Sequence, residues 1–243
     1  MLPLSGNLKN KIREIFRYRL FRERKFIDEV FSVERTFDLI KRQGIDIRSA
    51  VDVGANTGQW AKNFLCHFPE VRLLSIEANP DNLPELRTVN PDSIQACLAE
   101  TSGDIRTFYL PNPVIETNNT GASLYKELLP AYEDAVRLEL ETSTLDGFNR
   151  HFDLIKLDVQ GAELDVLKGG ISTLANAKFV MIELSLSRYN HSSPLAAEVI
   201  AYLHDVGFIF LSVNEVLFHN SKPIQLDCCF VQSRLAHLAN LDA

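Results

Sequence analysis

Apolar positions along the chain follow two rhythms in succession. From Leu8 to Phe31 they recur at mostly helical spacing, with Arg and Lys between them. VERTFDLIKRQG extends this with Phe37, Leu39 and Ile40, and Gly44 stands near the C-cap of a second amphipathic helix. Beyond residue 48 the pattern changes to short apolar runs, which predict strands over 49–53, 71–77, 93–99, 152–158, 178–184, 208–213 and 228–232. Helical segments fall between most of them: TGQWAKNFLCHF, DNLPELRTV, AELDVLKGGISTLAN and PLAAEVIAYLHDVG.

Strands alternating with helices imply βαβ units, and therefore an α/β domain whose parallel sheet is covered on both faces. Residues 105–141 interrupt the alternation. IRTFYL and VRLELET read as inserted strands flanking the long loop PNPVIETNNTGASLYKELLP. The expected organisation is an N-terminal basic helical extension over 1–32 and one domain over 33–243, with 105–141 inserted.

Composition narrows the class. A chain of 243 residues with 46% hydrophobic and 23% charged residues is globular rather than disordered or fibrous. MLPLSGNLKNKIREIF lacks the apolar core of a secretory signal, and the four cysteines have no metal-ligand spacing. Reduced, mostly buried thiols and a cytoplasmic location are expected, with neighbouring Cys228 and Cys229 on opposite sides of a strand.

The net charge of −7 conceals an asymmetry: residues 9–25 carry eight basic and two acidic side chains, leaving the remainder strongly acidic. Such a body is not expected to bind nucleic acid. For the basic helix three readings stand open. It is a cap packed on the sheet, a lid or homodimer contact, or a contact with an anionic membrane surface.

The strand at 49–53 runs straight into a glycine-bracketed turn, VDVGANTG. In open α/β sheets the first such turn meets the ligand, and glycines there let backbone come close to it. The dinucleotide pattern G-x-G-x-x-G is broken by Asn56, and Gly58 is followed by Gln59 rather than the lysine of a phosphate loop. Asp52 just before the turn would repel a pyrophosphate and suit a cationic group. Glu77 at the end of the second strand suits the two hydroxyls of a ribose. A nucleoside bearing an amino acid and a sulfonium, S-adenosylmethionine, satisfies both.

VDVGANTGQW, IEANP, FDLIKLDVQGAELDVLKGG and MIELS together resemble the FkbM family of S-adenosylmethionine-dependent methyltransferases, over about residues 33–232. The resemblance implies the class I methyltransferase fold: seven strands, mostly parallel, the last one antiparallel. It also implies methyl transfer, typically to a hydroxyl of a sugar or of a polyketide-type product. Asp52, Gly54, Ala55, Asn56, Thr57 and Gly58 would line the methionine end of the cofactor. Glu77 would hold the ribose, Ala78 and Asn79 would lie beside the adenosine, and Leu98 and Ala99 would border the adenine.

An alcohol is a weak nucleophile, so a base near the acceptor is chemically useful. Asp158, at the carboxyl end of the fourth strand, is the first candidate for base or cofactor contact. Glu183, Glu163 and His191 follow, and Gln160 is a candidate to orient acceptor or cofactor. Lys156 and Glu183 are expected to pair across neighbouring strands, or Asp158 and Glu183 to do so. Asp158 with Glu183 would also suffice for Mg²⁺, although no spacing demands a metal. Asn118, Asn119, Ser123 and Tyr125 are candidate contacts to a polyol acceptor. The expected function is O-methylation of a sugar, glycan or related natural product. A polyketide-type or nitrogen acceptor, or a non-catalytic cofactor-binding module, is the alternative.

Overall fold

The computed structural model describes residues 31–114, 121–128, 130–188, 190–219 and 221–235. The basic helix predicted over 8–31, with its lid, dimer and membrane readings, and the candidate contacts Asn118 and Asn119 lie outside the described residues.

The first described helix, α1 (Val33–Arg42), starts where the Ser32 hydroxyl accepts the Arg35 N–H at 3.3 Å. It buries Phe37 and Ile40, each worth about 1.5–3 kcal/mol of apolar burial. The strands β1 (Ser49–Val53), β2 (Arg72–Glu77) and β3 (Ser93–Gln95) alternate with α2 (Gln59–His67) and α3 (Leu83–Val89). Later come β4 (Cys97–Leu98), β5 (Ile105–Leu110), β6 (Val136–Ser143) and β7 (Leu154–Leu157). The chain then runs through α4 (Glu163–Lys168), α5 (Ile171–Asn176), β8 (Phe179–Ser185), α6 (Ala196–Asp205), β9 (Phe208–His219) and β10 (Lys222–Gln232).

Seven strands form one sheet in the order β3-β2-β1-β7-β8-β10-β9. β10 runs antiparallel to both neighbours, whereas the pairs from β3 through β8 are parallel. Every residue of β1, β7 and β8 is buried, as strands covered on both faces must be. One face packs Ala50, Leu73, Phe179 and Met181 against Phe37 of α1 and Phe64 of α2. The other packs Val51, Ile76, Ile155 and Val180 against α4, α5 and α6 through Val166, Leu174 and Val199. Cys228 joins the second core and Cys229 the first, the alternation expected of adjacent strand residues. Cys66 is exposed; the other three thiols are buried and free.

Three elements differ from the pattern read in the sequence. The strand predicted over 93–99 is two, broken at Ala96: Ser93–Gln95 pairs with β2, whereas Cys97–Leu98 leaves the sheet and pairs with Thr142 and Ser143 of β6. The single helix predicted over 162–176 is also two. They break at Gly169, the C-cap of α4, which passes so close to the Ala99 carbonyl that a Cβ would overlap it. Finally, β9 and β10 extend well beyond 208–213 and 228–232. Their outer halves are partly exposed, so side chains there carry no continuous apolar run to read.

Candidate active site

The carboxyl ends of β1, β2, β7 and β8 and the amino-terminal half of the antiparallel β10 converge on one end of the sheet. β1 ends in a turn that only glycine permits at Gly54 (φ +77°), because a Cβ there would fall within the carbonyl of Asp158. The backbones are joined at this seam by the Asp158 N–H donating to the Val53 carbonyl at 3.0 Å. Asn56 takes a left-handed conformation (φ +48°) and donates its N–H to Glu77 Oε2 at 2.7 Å. Glu77 Oε1 accepts the Asn79 N–H at 2.7 Å. Burial pushes the Glu77 carboxyl up, opposed by these two N–H groups.

A cavity of about 1050 Å³ opens above the turn. Gly54, Ala55, Asn56, Thr57, Glu77, Ala78, Leu98, Asp158 and Gln160, all predicted cofactor residues, line it. Four others do not. Asp52 lies beneath the turn with no exposed surface. Gly58 (φ +91°) is a packing glycine whose Cβ would press on Leu86 and Val89. Asn79 is buried and caps the short turn at Pro80–Asn82, and Ala99 is buried behind Gly169.

Lys156 organises the charges. Its Nζ lies 3.0 Å from Asp158 Oδ2 and 3.5 Å from Asp52 Oδ1, so it does not take Glu183 as its partner. Register explains this: Lys156 stands opposite Asp52 on β1 and opposite Met181, not Glu183, on β8. Burial opposes the charge on Lys156, but Asp158 and Asp52 outweigh it and hold the ammonium protonated well above its usual range. Asp158 is held below the usual carboxylate range, the Lys156 charge overcoming burial. Asp52 goes up, because burial, with the charge of Asp158, outweighs Lys156.

The turn after β7 is clasped from several sides. Gln160 (φ +52°) donates from Nε2 to Asp158 Oδ1 at 2.8 Å and to Glu183 Oε2 at 3.1 Å, linking the two carboxylates expected to pair. The Gln160 carbonyl accepts the Ser123 hydroxyl at 2.7 Å and the Asn190 amide, and the Glu163 carboxylate accepts the N–H groups of Val159 and Gly161. Burial lifts the Glu163 carboxyl to about 7 against those N–H groups. Glu163 and Ser123 therefore brace the turn, and neither lines the cavity.

His191 is not brought to this end either. It lines a separate cavity of about 480 Å³ with Tyr109, Tyr125 and Tyr132. The Tyr125 hydroxyl donates to Asp165 Oδ2 at 3.0 Å. Among the described residues no group of three or more His, Cys, Asp or Glu side chains is arranged to hold a metal ion.

Residues that the sequence pattern left unmarked complete the site. A second cavity of about 430 Å³ adjoins the first, and Trp60, Lys156, Asp158, Glu215 and Asp227 line both. Asp227 stands opposite Glu183 on β8 and Glu215 on β9, so carboxylates from adjacent strands form a row. Burial, then the charge of Asp158, raises the Asp227 carboxyl to about 7. Trp60 stacks on Phe64 with ring centroids 4.7 Å apart and holds Lys156 Nζ over its ring at 5.9 Å. The only sequence signal for Asp227 was a charge in QLDCC within an apolar run.

The strand order, the glycine turn and the carboxylate ending β2 define a class I methyltransferase domain. The residues at the turn fit S-adenosylmethionine: backbone approaches the cavity freely at Gly54, Glu77 lines it, and the lysine that lines it, Lys156, is held by Asp158 and Asp52. More particularly, the chain belongs to the FkbM methyltransferase family, whose model, described as the methyltransferase FkbM domain, matches residues 52–210. Methyltransferase sdnD of Sordaria araneosa is 27% identical over 154 residues, covering 49% of this chain and 59% of that protein. The chain thus spans little more than half the length of that curated relative. Among solved structures, methyltransferase FkbM of Methylobacillus flagellatus KT aligns at 18% identity over 85% of this chain and 50% of its own, with a TM-score of 0.48. Magnesium protoporphyrin IX methyltransferase of Synechocystis PCC 6803 with bound SAM aligns at 11% identity over 82% of this chain and 79% of its own, with a TM-score of 0.46. Among the described residues no helix is long and apolar enough to cross a membrane.

Proposed function

We propose that the protein is an S-adenosylmethionine-dependent O-methyltransferase acting on a hydroxyl of a sugar, glycan or related natural product. The observation that carries this reading is the row of Asp158, Glu183, Asp227 and Glu215 across four neighbouring strands beside the cofactor cavity. Carboxylates favour a sulfonium donor, and they accept hydrogen bonds from vicinal hydroxyls. A phosphorylated or carboxylated acceptor would meet like charge there. The same row, with the net charge of −7, speaks against a nucleic-acid acceptor. A cytoplasmic location belongs to this reading, because the methyl donor would have to be supplied there.

Two measurements test it. Calorimetry compares S-adenosylmethionine with NAD; tight NAD binding without binding of the methyl donor would sink the cofactor assignment. Transfer of a labelled methyl group is then followed to a panel of p-nitrophenyl glycosides and to matching amines. Label in the glycosides supports the hydroxyl acceptor, and label confined to the amines replaces it with a nitrogen acceptor.

A further inference from the structure

We propose that the second cavity receives the methyl acceptor and that Asp227 takes the proton from its nucleophilic oxygen. This rests on the reading of the first cavity as the S-adenosylmethionine site, and it assigns the opposite side of the reacting centre. The two cavities share a wall containing Asp158 and Asp227, so a molecule in the second meets one in the first at those side chains.

Of the other carboxylates at this end, Glu215 is exposed on β9, whereas Asp158, Glu183 and Glu163 are already engaged. Asp158 accepts from Lys156 at Oδ2 and from Gln160 at Oδ1. Glu183 accepts from Gln160, and Glu163 is held by two backbone N–H groups away from both cavities. Asp227 is only partly exposed, and among the described residues its carboxylate has neither a hydrogen bond nor an ion pair. It is a carboxylate facing a cavity with its lone pairs unclaimed.

The groups around it set its basicity. Asp158 and Lys156 approach from the end of β7, Glu215 from β9 and Glu163 from α4, with Glu183 opposite on β8. Burial and the acidic majority raise the Asp227 carboxyl to about 7, against Lys156, which suits a base working near neutrality. Asp158, held low by its lysine, is a weaker base.

In the transfer, the acceptor oxygen bonds to the methyl carbon while the carbon–sulfur bond breaks and leaves its electron pair on sulfur. The hydroxyl proton passes to Asp227, which becomes a neutral carboxylic acid and returns the proton to water. A positive sulfonium and a negative carboxylate thus become two neutral groups.

The test uses sinefungin, a cofactor analogue with an amine-bearing carbon where the methylated sulfur stands, against S-adenosylhomocysteine, which has no group there. With Asp227 at the methyl position, Asp227→Asn weakens sinefungin by about fivefold or more, the worth of one charge-assisted hydrogen bond, and leaves S-adenosylhomocysteine within about twofold. Asp227→Glu restores part of the sinefungin preference. Equal effects on both ligands, or a sinefungin loss seen in Glu215→Gln but not in Asp227→Asn, would overturn the assignment. Failure of the wild type to bind either ligand would instead remove the cofactor reading beneath it. On any glycoside the wild type methylates, Asp227→Asn lowers kcat by about 100-fold or more at unchanged KM for the methyl donor; an unchanged kcat would remove Asp227 from proton transfer.

Discussion

The carbonyl of Asp158 occupies the space a side chain on Gly54 would need, so the glycine turn after β1 and the end of β7 are locked against each other. Gly54→Ala must either part β1 from β7 or rotate the turn out of its left-handed conformation. We expect a loss of about 3 kcal/mol or more, read from urea unfolding, together with loss of S-adenosylhomocysteine binding. A variant of wild-type stability and affinity would show that the seam yields easily.

Lys156 neutralises two carboxylates at once, the buried Asp52 and the partly exposed Asp158. Lys156→Met strands Asp52 and Asp158 without a cation and is expected to cost about 3–5 kcal/mol at neutral pH. Asp158 is depressed in the folded state, so its contribution exists above the ordinary carboxylate range and disappears as pH falls through its folded value. Lys156 is raised, so its contribution persists through neutrality and is lost only in strong alkali. The penalty of Lys156→Met should therefore shrink on acidification. Denaturation curves at pH 7 and about pH 2 check this, and a larger penalty in acid contradicts the pairing.

With Asp227 as the base and its carboxyl at about 7, kcat/KM is governed by the ionised fraction. Activity is then expected to fall about tenfold per pH unit below that value and to level off above it. The acid limb disappears in Asp227→Asn. A limb that survives the substitution belongs to another group.

Away from the site, Asp153 accepts the Arg48 N–H at 2.8 Å and pairs with Lys178 at 2.9 Å, tying the start of β7 to those of β1 and β8. Burial opposes its charge, yet the Arg48 N–H and Lys178 carry the carboxyl below its usual range. Asp153→Ala leaves buried donors unmet and is expected to cost about 2–4 kcal/mol at pH 7. The wild type loses that stability only as pH drops through the depressed value, so the two proteins converge in acid. Parallel thermal melts across pH decide it.

His191 offers the contrasting case. Because it lines the cavity with Tyr125 and Tyr132, His191→Ala is expected to leave cofactor affinity and turnover within about twofold. A large loss of turnover with binding intact would return it to the acceptor side.

That Gly54, Asn56 and Glu77 would come together at one end of the sheet was legible because it rests on local chemistry. Gly54, Asn56 and Glu77 sit at strand ends, and the strands announce themselves as short apolar runs between helices. Asp227 was not legible, because its place depends on β10 inserting between β8 and β9, a pairing between segments no local pattern joins. Lys156 was recognised as a buried charge, but of the two pairings left open the one with Glu183 does not form: β1 lies beside β7 and puts Asp52 opposite it, whereas on β8 Glu183 stands beyond its register. Ser123 and Glu163 are polar near the site but turn to backbone of the 159–161 turn instead of the cavity, and side-chain direction is invisible in composition.

The distribution of the four cysteines gives the protein a single chemical address. Burial lifts the thiols of Cys97 and Cys228 to about 11 and about 12 and that of Cys229 further still, so they stay protonated and shielded from alkylating reagents. Cys66 alone is exposed, on the helix that springs from the glycine turn. A maleimide dye attached to the native chain therefore reports from one position, in the last turn of that helix, with no cysteine removed beforehand.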